Sequence, residues 1–298
     1  LPYQTGFESI LENVGAVRNQ GFEISVNSVN IDKKDFKWST NLSISANRNK
    51  ILDLGGKDFL ENGRGSRLIV GEPMGTFFGV KYLGTWKENE ITEGSKHKPG
   101  DPKLEDLNDD DIINIHDGQI IGNAEPKFYG GFGNDFTFKR FTLGLFFDFS
   151  YGNDVYDLSG RGMDTGFNGN VYGRNRDRWS ESNPNGYYPK AGSAFTNIFD
   201  TYAGGEFNGG CSLYLHDGSY LRLKNINVQY DIPLPKQNVL KSLQVYGTVS
   251  NVFTLTKYFG YSPDVNVGDL ETEATRRGFD QNAYPQSRTF LIGLKAQF

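Results

Sequence analysis

Cysteine is nearly missing from this sequence. Cys211 stands alone, which excludes an internal disulfide framework and any metal site built from several thiolates. Histidine is almost as scarce. His97, His116 and His216 are isolated, no two of them lie at metal-ligand spacing, and each reads as a loop or surface residue. No apolar run reaches about 18 residues, so no transmembrane helix is expected. Positive charge is not in excess either. The net charge of -5 argues against a nucleic-acid partner held by phosphate neutralisation. There is no Gly-x-Ser-x-Gly elbow, and Cys211 has no evident base beside it. The glycines of residues 130–135 lack the third glycine of a dinucleotide fingerprint and fall within a strand pattern. No catalytic residue is assigned, and the chain is expected not to be an enzyme. Leu1 is not an initiator methionine and no signal peptide is visible, so a mature or truncated chain is expected.

What is abundant is glycine, 37 of 298 residues, and aromatic side chains, at 14%. With few long apolar runs this is a β-rich composition. Period-two alternation recurs along the chain. "RTFLIGLKAQF" sets Phe290, Ile292, Leu294, Ala296 and Phe298 on one face. "FTLGLFFDFS" sets Phe141, Leu143, Leu145, Phe147 and Phe149 on one face. "KFYGGFGNDFTF" contributes Phe128, Phe132, Phe136 and Phe138, and Lys139-Arg140 joins these last two segments in a tight hairpin. "FKWSTNLSISA" alternates from Phe36 to Ala46, and "LQVYGTVSNVF" does so more weakly. About nine such segments are expected, most near the length of a membrane strand. Nothing longer than a turn shows a helical period, so little helix is expected.

Two architectures fit. A soluble β-sandwich buries one face of each strand. An antiparallel transmembrane β-barrel turns that face to lipid and its polar, glycine-rich face to the lumen. Strand length, aromatic faces, and connections that alternate between tight turns and very long loops favour the barrel.

One long connection carries "DLNDDDIINIHD", residues 106–117, which follows a calcium-loop spacing. Asp106 stands at position 1, Asn108 at 3, Asp110 at 5, the carbonyl of Ile112 at 7 and Asp117 at 12, with Asn114 reaching through water. Asp111 replaces the usual glycine at position 6, and Asp117 is shorter than the usual glutamate. The flanks "HKPGDPKLE" and "GQIIGNAEPK" exclude the two helices of an EF-hand. The expectation is a structural cation, Ca2+ in preference to Mg2+, that pins a long loop. A solvated acidic loop is the alternative. "RNRDRW", residues 174–179, reads as a salt-bridge cluster in preference to an anion site. Trp86, Trp179, Tyr187, Tyr188, Tyr202 and Tyr214 fit sugar or peptide stacking and girdle or loop packing equally well.

Several segments carry a resemblance to a known family: "ENVGAVRNQGFEISVN" (residues 12–27), "VGEPMGTFFGVKYLGTW" (70–86) and "PGDPKLEDLNDDDIINIHDGQIIGNAEPKFYGGFGNDF" (99–136). "RWSESNPNGYYPKA" (178–191), "SYLRLKNINVQYDIP" (219–233) and "NVFTLTKYFGYSPDV" (251–265) follow in the same order. Together they resemble the SusC/RagA-type TonB-dependent transporters of the Bacteroidetes outer membrane. The terminal strand ending in Phe298 is similar to the aromatic end of such barrels. The resemblance implies that residues 1–298 are the C-terminal part of a receptor barrel of about 22 strands, whose plug and earlier strands lie outside this sequence. Alone it would not close a pore, because open edges leave backbone groups unpaired in lipid.

The resemblance also implies multi-pass outer-membrane localisation and TonB-energised nutrient uptake of oligosaccharides or peptides. The partners would be a SusD-like lid lipoprotein, TonB through the missing N-terminal part, and membrane lipid. Counting back from Phe298 makes residues 139–140 and 232–242 periplasmic turns. It places 87–126, with the acidic loop, and 259–286 outside the cell. The count assumes an even number of strands between Tyr151 and Asp217, and leaves 49–75 as a long periplasmic connection or a hidden strand pair. Two rivals stay open. One is a soluble or surface β-sandwich adhesin that binds glycans with a calcium loop. The other is a SusC-like barrel serving as a structural subunit of an envelope machine.

Overall fold

A computed structural model describes residues 15–63, 65–160, 171–191, 210–235, 239–265, 275, 277–281 and 283–298. The alternating segments form one seven-stranded sheet. Its strands are β1 (Gly15–Lys33), β2 (Phe36–Leu54), β3 (Phe128–Phe138), β4 (Phe141–Tyr151), β5 (Tyr220–Asp231), β6 (Ser242–Thr256) and β7 (Thr289–Gln297). Each strand pairs antiparallel with the next in chain order, so the sheet is an up-and-down meander open at β1 and β7. The fold is the all-β, antiparallel wall of a barrel. Among the described residues the main sheet has seven strands, against the expectation of about nine. Residues Thr76–Val80 and Tyr82–Thr85 have strand-like composition but belong to short sheets outside the meander.

The register explains the two faces. Trp38 sits opposite Phe136, which sits opposite Leu143, which sits opposite Val228. The next row is Thr40, Asn134, Leu145 and Ile226, and the one after it Leu42, Phe132, Phe147 and Leu223. Phe132 and Phe147 stack with centroids 4.6 Å apart, and Trp38 stacks on Phe136 at 5.7 Å. Among the described residues no second layer covers this apolar face. Phe290, Ile292 and Leu294 of β7 are 71%, 86% and 71% exposed, where a sandwich would bury them. Polar groups on the face satisfy one another: Trp38 Nε1 and Thr40 Oγ1 both donate to Asn134 Oδ1, at 3.0 and 2.8 Å, and Asn30 Nδ2 donates to Thr40 Oγ1 at 2.7 Å.

The opposite face carries Ser39, Asn41, Asp135, Thr142, Asn227 and Thr248, with Thr248 donating to Asn227 at 2.9 Å. Large rings on this side lie flat across the neighbouring strand. Tyr246 covers Gly293, where a Cβ would come within 2.4 Å of the ring.

The two-residue turns 34–35 and 139–140 and the ends of β5 and β6 joined through 232–241 lie at one end of the meander. Lys139 supplies the positive φ (54°) of its two-residue turn, and its N–H donates to the Asp35 carbonyl of the adjacent turn. The three long excursions, 55–127, 152–219 and 257–288, leave from the other end. β4 and β5 are direct neighbours, which satisfies the even-number assumption with no sheet strand between them among the described residues. Residues 49–75 correct the expectation of a long connection at the tight-turn end, though a short strand pair, Phe59–Glu61 with Arg67–Ile69, does lie within them. β2 runs on to Leu54, and 55–127 is one excursion at the long-loop end.

The buried core lies at that end and not in the sheet. Phe77, Val80, Tyr82, Leu104, Tyr156, Cys211, Leu213, Tyr214 and Phe279 pack together. Among the described residues, the sheet strands add only Ile51, Leu54 and Leu223 to the buried apolar set. Short strands interlock the excursions: Asp154–Asp157 pairs with Leu215–Asp217 and Phe279–Asp280, and Thr76–Val80 pairs with Gln119–Asn123 and Gly210–Cys211.

Candidate functional site

The loop cap is where conformation is most closely specified by side chains. Phe77 meets Phe279 edge-on at 5.3 Å, and Tyr156 lies 5.8 Å from Phe77 and 5.7 Å from Phe279. Tyr156 OH accepts the Cys211 N–H at 3.0 Å. Burial pushes the Cys211 thiol up to about 12. Cys211 is therefore an inert packing residue.

Two ionic clusters tie the cap together. Arg174 pairs with buried Asp157 at 3.0 Å and reaches His216 at 3.3 Å. Its guanidinium also lies 4.2 Å from the Phe259 ring centroid. Burial, and then the nearby Arg174 charge, lower the His216 pKa to about 4. Tyr258 donates to Asp280, the strand neighbour of Asp157. The "RNRDRW" arginine thus serves a salt bridge inside the cap. The second cluster joins Arg222 of β5 to Asp264 and Ser262 of the last excursion.

The acidic loop is organised by its own side chains. Asp106 Oδ2 accepts the Asp111 N–H at 2.8 Å, Asn108 Oδ1 accepts the Asp110 N–H at 3.3 Å, and Asp110 Oδ1 accepts the Ile112 N–H at 2.8 Å. Asp117 is wholly buried and accepts from Leu107 N–H and Asn114 N–H at 2.9 and 2.7 Å. Asp109 and Asp111, positions 4 and 6 of the spacing, both have left-handed backbones, φ 56° and 58°. Asp106 Oδ1 is buried with no hydrogen-bond partner. Among the described residues no three His, Cys, Asp or Glu side chains converge to hold a metal ion. Asp106, Asn108, Asp110, Ile112 and Asp117 therefore share one hydrogen-bonded loop without forming a closed cage.

Beside this loop lies an open cleft of about 750 Å³. Trp86 forms one wall, stacked on His97 at 4.6 Å and covered by Lys103, whose Nζ is 4.7 Å from the ring. Lys190 pairs with Asp101 at 2.8 Å on the rim. Trp179 packs over Gly100, whose φ of 81° and lack of a Cβ allow the approach. Tyr187 sits edge-on to both Tyr82 and Tyr188. Tyr214 is fully buried in the core, and Tyr202 lies outside the described residues. Local sequence gave no sign of the Asp157–Arg174–His216 cluster, whose members are spread along the excursion 152–219, or of the Arg222–Asp264 pair, which joins β5 to the last excursion.

No protein-family model matches the chain. It is 35% identical over its whole length to TonB-dependent receptor P26 of Formosa agariphila, and 32% identical to receptor P3 of the same organism. It is 27% identical to TonB-dependent receptor SusC of Bacteroides thetaiotaomicron. The chain spans 28–31% of the length of these curated relatives. Among solved structures, the RagAB peptide transporter superposes over the whole chain with a TM-score of 0.78 at 23% identity, covering 31% of that structure's chain. The same importer in its "closed-closed" state gives 0.74. These relatives are named as receptors and transporters. With a coreless meander, tight turns at one end and packed loops at the other, the chain is a barrel portion of a TonB-dependent receptor of the SusC type.

Proposed function

We propose that this chain is part of the barrel wall and outer cap of a TonB-energised importer in the outer membrane, and makes or breaks no bond. The carrying observation is the split of the molecule into a sheet with no core and a loop cap with one. A face bearing exposed Phe290, Ile292 and Leu294 suits lipid, and the opposite polar face suits a wet lumen. In this reading the tight turns are periplasmic and the acidic loop and cleft lie outside the cell. A plug that contacts TonB, and further strands that close the barrel, belong to the whole protein beyond residues 1–298. Likeness to SusC and to the RagAB peptide transporter supports a SusD-like lid lipoprotein, and cargo drawn from peptides or oligosaccharides. The test is uptake of labelled oligopeptides and oligosaccharides by cells with and without the gene for the whole protein, and with and without TonB. Loss of one class of uptake in both mutants is expected. Unchanged uptake with a weakened envelope would favour a structural subunit instead.

We further propose that Asp106, Asn108, Asp110, the Ile112 carbonyl and Asp117 close around a structural Ca2+. The paired left-handed residues and the unpartnered Asp106 oxygen support this. Trp86 in the adjoining cleft makes Tb3+ luminescence a usable probe. Sensitised emission from the native protein, lost in a D106N/D110N variant and displaced by Ca2+, is expected. Equal emission from both proteins would leave the solvated acidic loop.

A further inference from the structure

β1 and β2 are each 19 residues long, against 9 to 15 for the other sheet strands. Their long-loop ends run past the apolar band. On β2 the apolar face is carried by Trp38, Thr40, Leu42, Ile44 and Ala46. Strand alternation places Arg48 and Lys50 next on that same face. On β1 the matching series is Val26, Ile24 and Phe22, followed by Gln20 and Arg18. The register sets Phe22 opposite Ala46, Gln20 opposite Arg48, and Arg18 directly opposite Lys50. Arg18 and Lys50 are therefore like charges in a cross-strand pair, an arrangement that costs stability unless an anion screens it. Arg18, Arg48 and Lys50 are all exposed.

Among the described residues no carboxylate stands within salt-bridge distance of these three side chains. Acidic neighbours are directed elsewhere. Glu23 lies opposite Ser45 on the polar face, Asp53 accepts the Gly56 N–H, and Glu125 pairs with Arg277. Arg48 is held in place by its Nη1, which donates to the carbonyls of Asn47, Pro126 and Lys127 at 3.0, 3.1 and 3.2 Å. At the same level β3 and β4 present Phe128, Phe149 and Tyr151, with Phe128 stacked on Tyr151 at 5.0 Å. Arg48 thus lies two residues beyond Ala46, and Lys50 and Arg18 four residues beyond Ala46 and Phe22, about 7–13 Å past the apolar band on the same face.

We infer that Arg18, Arg48 and Lys50 form a binding site for the phosphate-bearing headgroup of an outer-leaflet lipid, with its acyl chains against Phe22, Ile24 and Ala46. The inference rests on the membrane orientation proposed above. A lipid phosphate supplies the missing counter-charge, and its chains need the apolar surface immediately below. The Arg18–Lys50 juxtaposition then becomes a bidentate cradle.

The test uses the whole detergent-purified protein and native mass spectrometry. Phosphorylated lipid A and the same lipid with its phosphates removed are added to the native protein and to an R18Q/R48Q/K50Q variant. A K34Q variant at the tight-turn end serves as control. The expected result is retention of the phosphorylated lipid by native and K34Q protein, with occupancy at least about tenfold lower in the triple variant. Should the triple variant fail to assemble, R18Q and K50Q singly are expected to lower occupancy by smaller, separately measurable amounts. Equal retention of the dephosphorylated lipid, or unchanged occupancy in the variants, overturns the inference. Displacement of the lipid by millimolar inorganic phosphate alone also overturns it, by assigning the cradle to a free anion. Loss of lipid binding with cargo uptake retained separates failure of this site from failure of the importer reading. A protein that stays soluble without detergent would sink the importer reading and this inference together.

Discussion

Arg222 of β5 grips Asp264 of the last excursion with both terminal nitrogens, Nη1 to Oδ2 at 2.7 Å and Nη2 to Oδ1 at 3.0 Å. Its Nε donates to Thr254 of β6 at 2.9 Å, and Nη2 also donates to Ser262. The arginine is 3% exposed. One side chain thereby fixes the last excursion to two sheet strands.

Removing the carboxylate charge strands a buried cation, the costly half of a broken ion pair. D264N is expected to destabilise the packing of residues 257–265 by about 2 kcal/mol or more, read as faster amide hydrogen exchange there with the sheet unaffected. Burial alone would raise the Asp264 pKa, but hydrogen bonds from Arg222 and Ser262 and the charge of Arg222 hold it down at about 2. Its folded pKa lies below its unfolded value, so its contribution is present above about pH 4 and is lost as pH falls toward 2. Equal exchange rates in native and D264N protein at pH 7 would show that the pair does not hold the excursion.

His216 gives a second, separate pH response. Burial and Arg174 keep it neutral down to about pH 4, whereas an unfolded histidine takes up a proton near 6.5. The unfolded chain binds more protons between these values, so the cap is fully stabilised above about pH 6.5 and weakens as pH falls toward 4. H216F is expected to flatten this dependence. Proteolysis of the cap measured across pH 4–7 distinguishes the two proteins, and a native profile that does not change over that range would refute the assignment.

Tyr246 and Gly293 test the meander itself. The ring occupies the space a Cβ at residue 293 would need. G293V is expected to cost about 1–3 kcal/mol by overpacking, seen as a lower unfolding temperature of the detergent-solubilised protein. Y246A placed in the same chain should recover much of that loss. Additive losses would mean that the two side chains do not compete for space.

Cys211 predicts a negative result with content. Full burial and a thiol pKa near 12 leave almost no thiolate at neutral pH. Maleimide labelling should be absent from the folded protein and complete in denaturant. Rapid labelling under native conditions would mean that the cap opens.

The local pattern of the sequence carried the wall of this protein. Residues 141–149 and 289–298 alternate, so their faces and strand state follow from side chains standing on opposite sides of an extended backbone, a property of neighbours. The tight turn at 139–140 and the lack of a long helix among the described residues follow from the same local rule. The acidic spacing at 106–117 was equally visible, although the role of Asp117 as a buried acceptor for Leu107 and Asn114 was not. Only the tertiary structure decided that β4 and β5 are neighbours, that β2 continues to Leu54, and that seven strands form the main sheet among the described residues. It alone brought Phe77, Tyr156, Tyr214 and Phe279 into one core and Arg222 onto Asp264. Those pairings join residues far apart in the chain. No local periodicity records them, because they arise only when three long excursions leave the same end of the sheet and must bury their apolar side chains against one another.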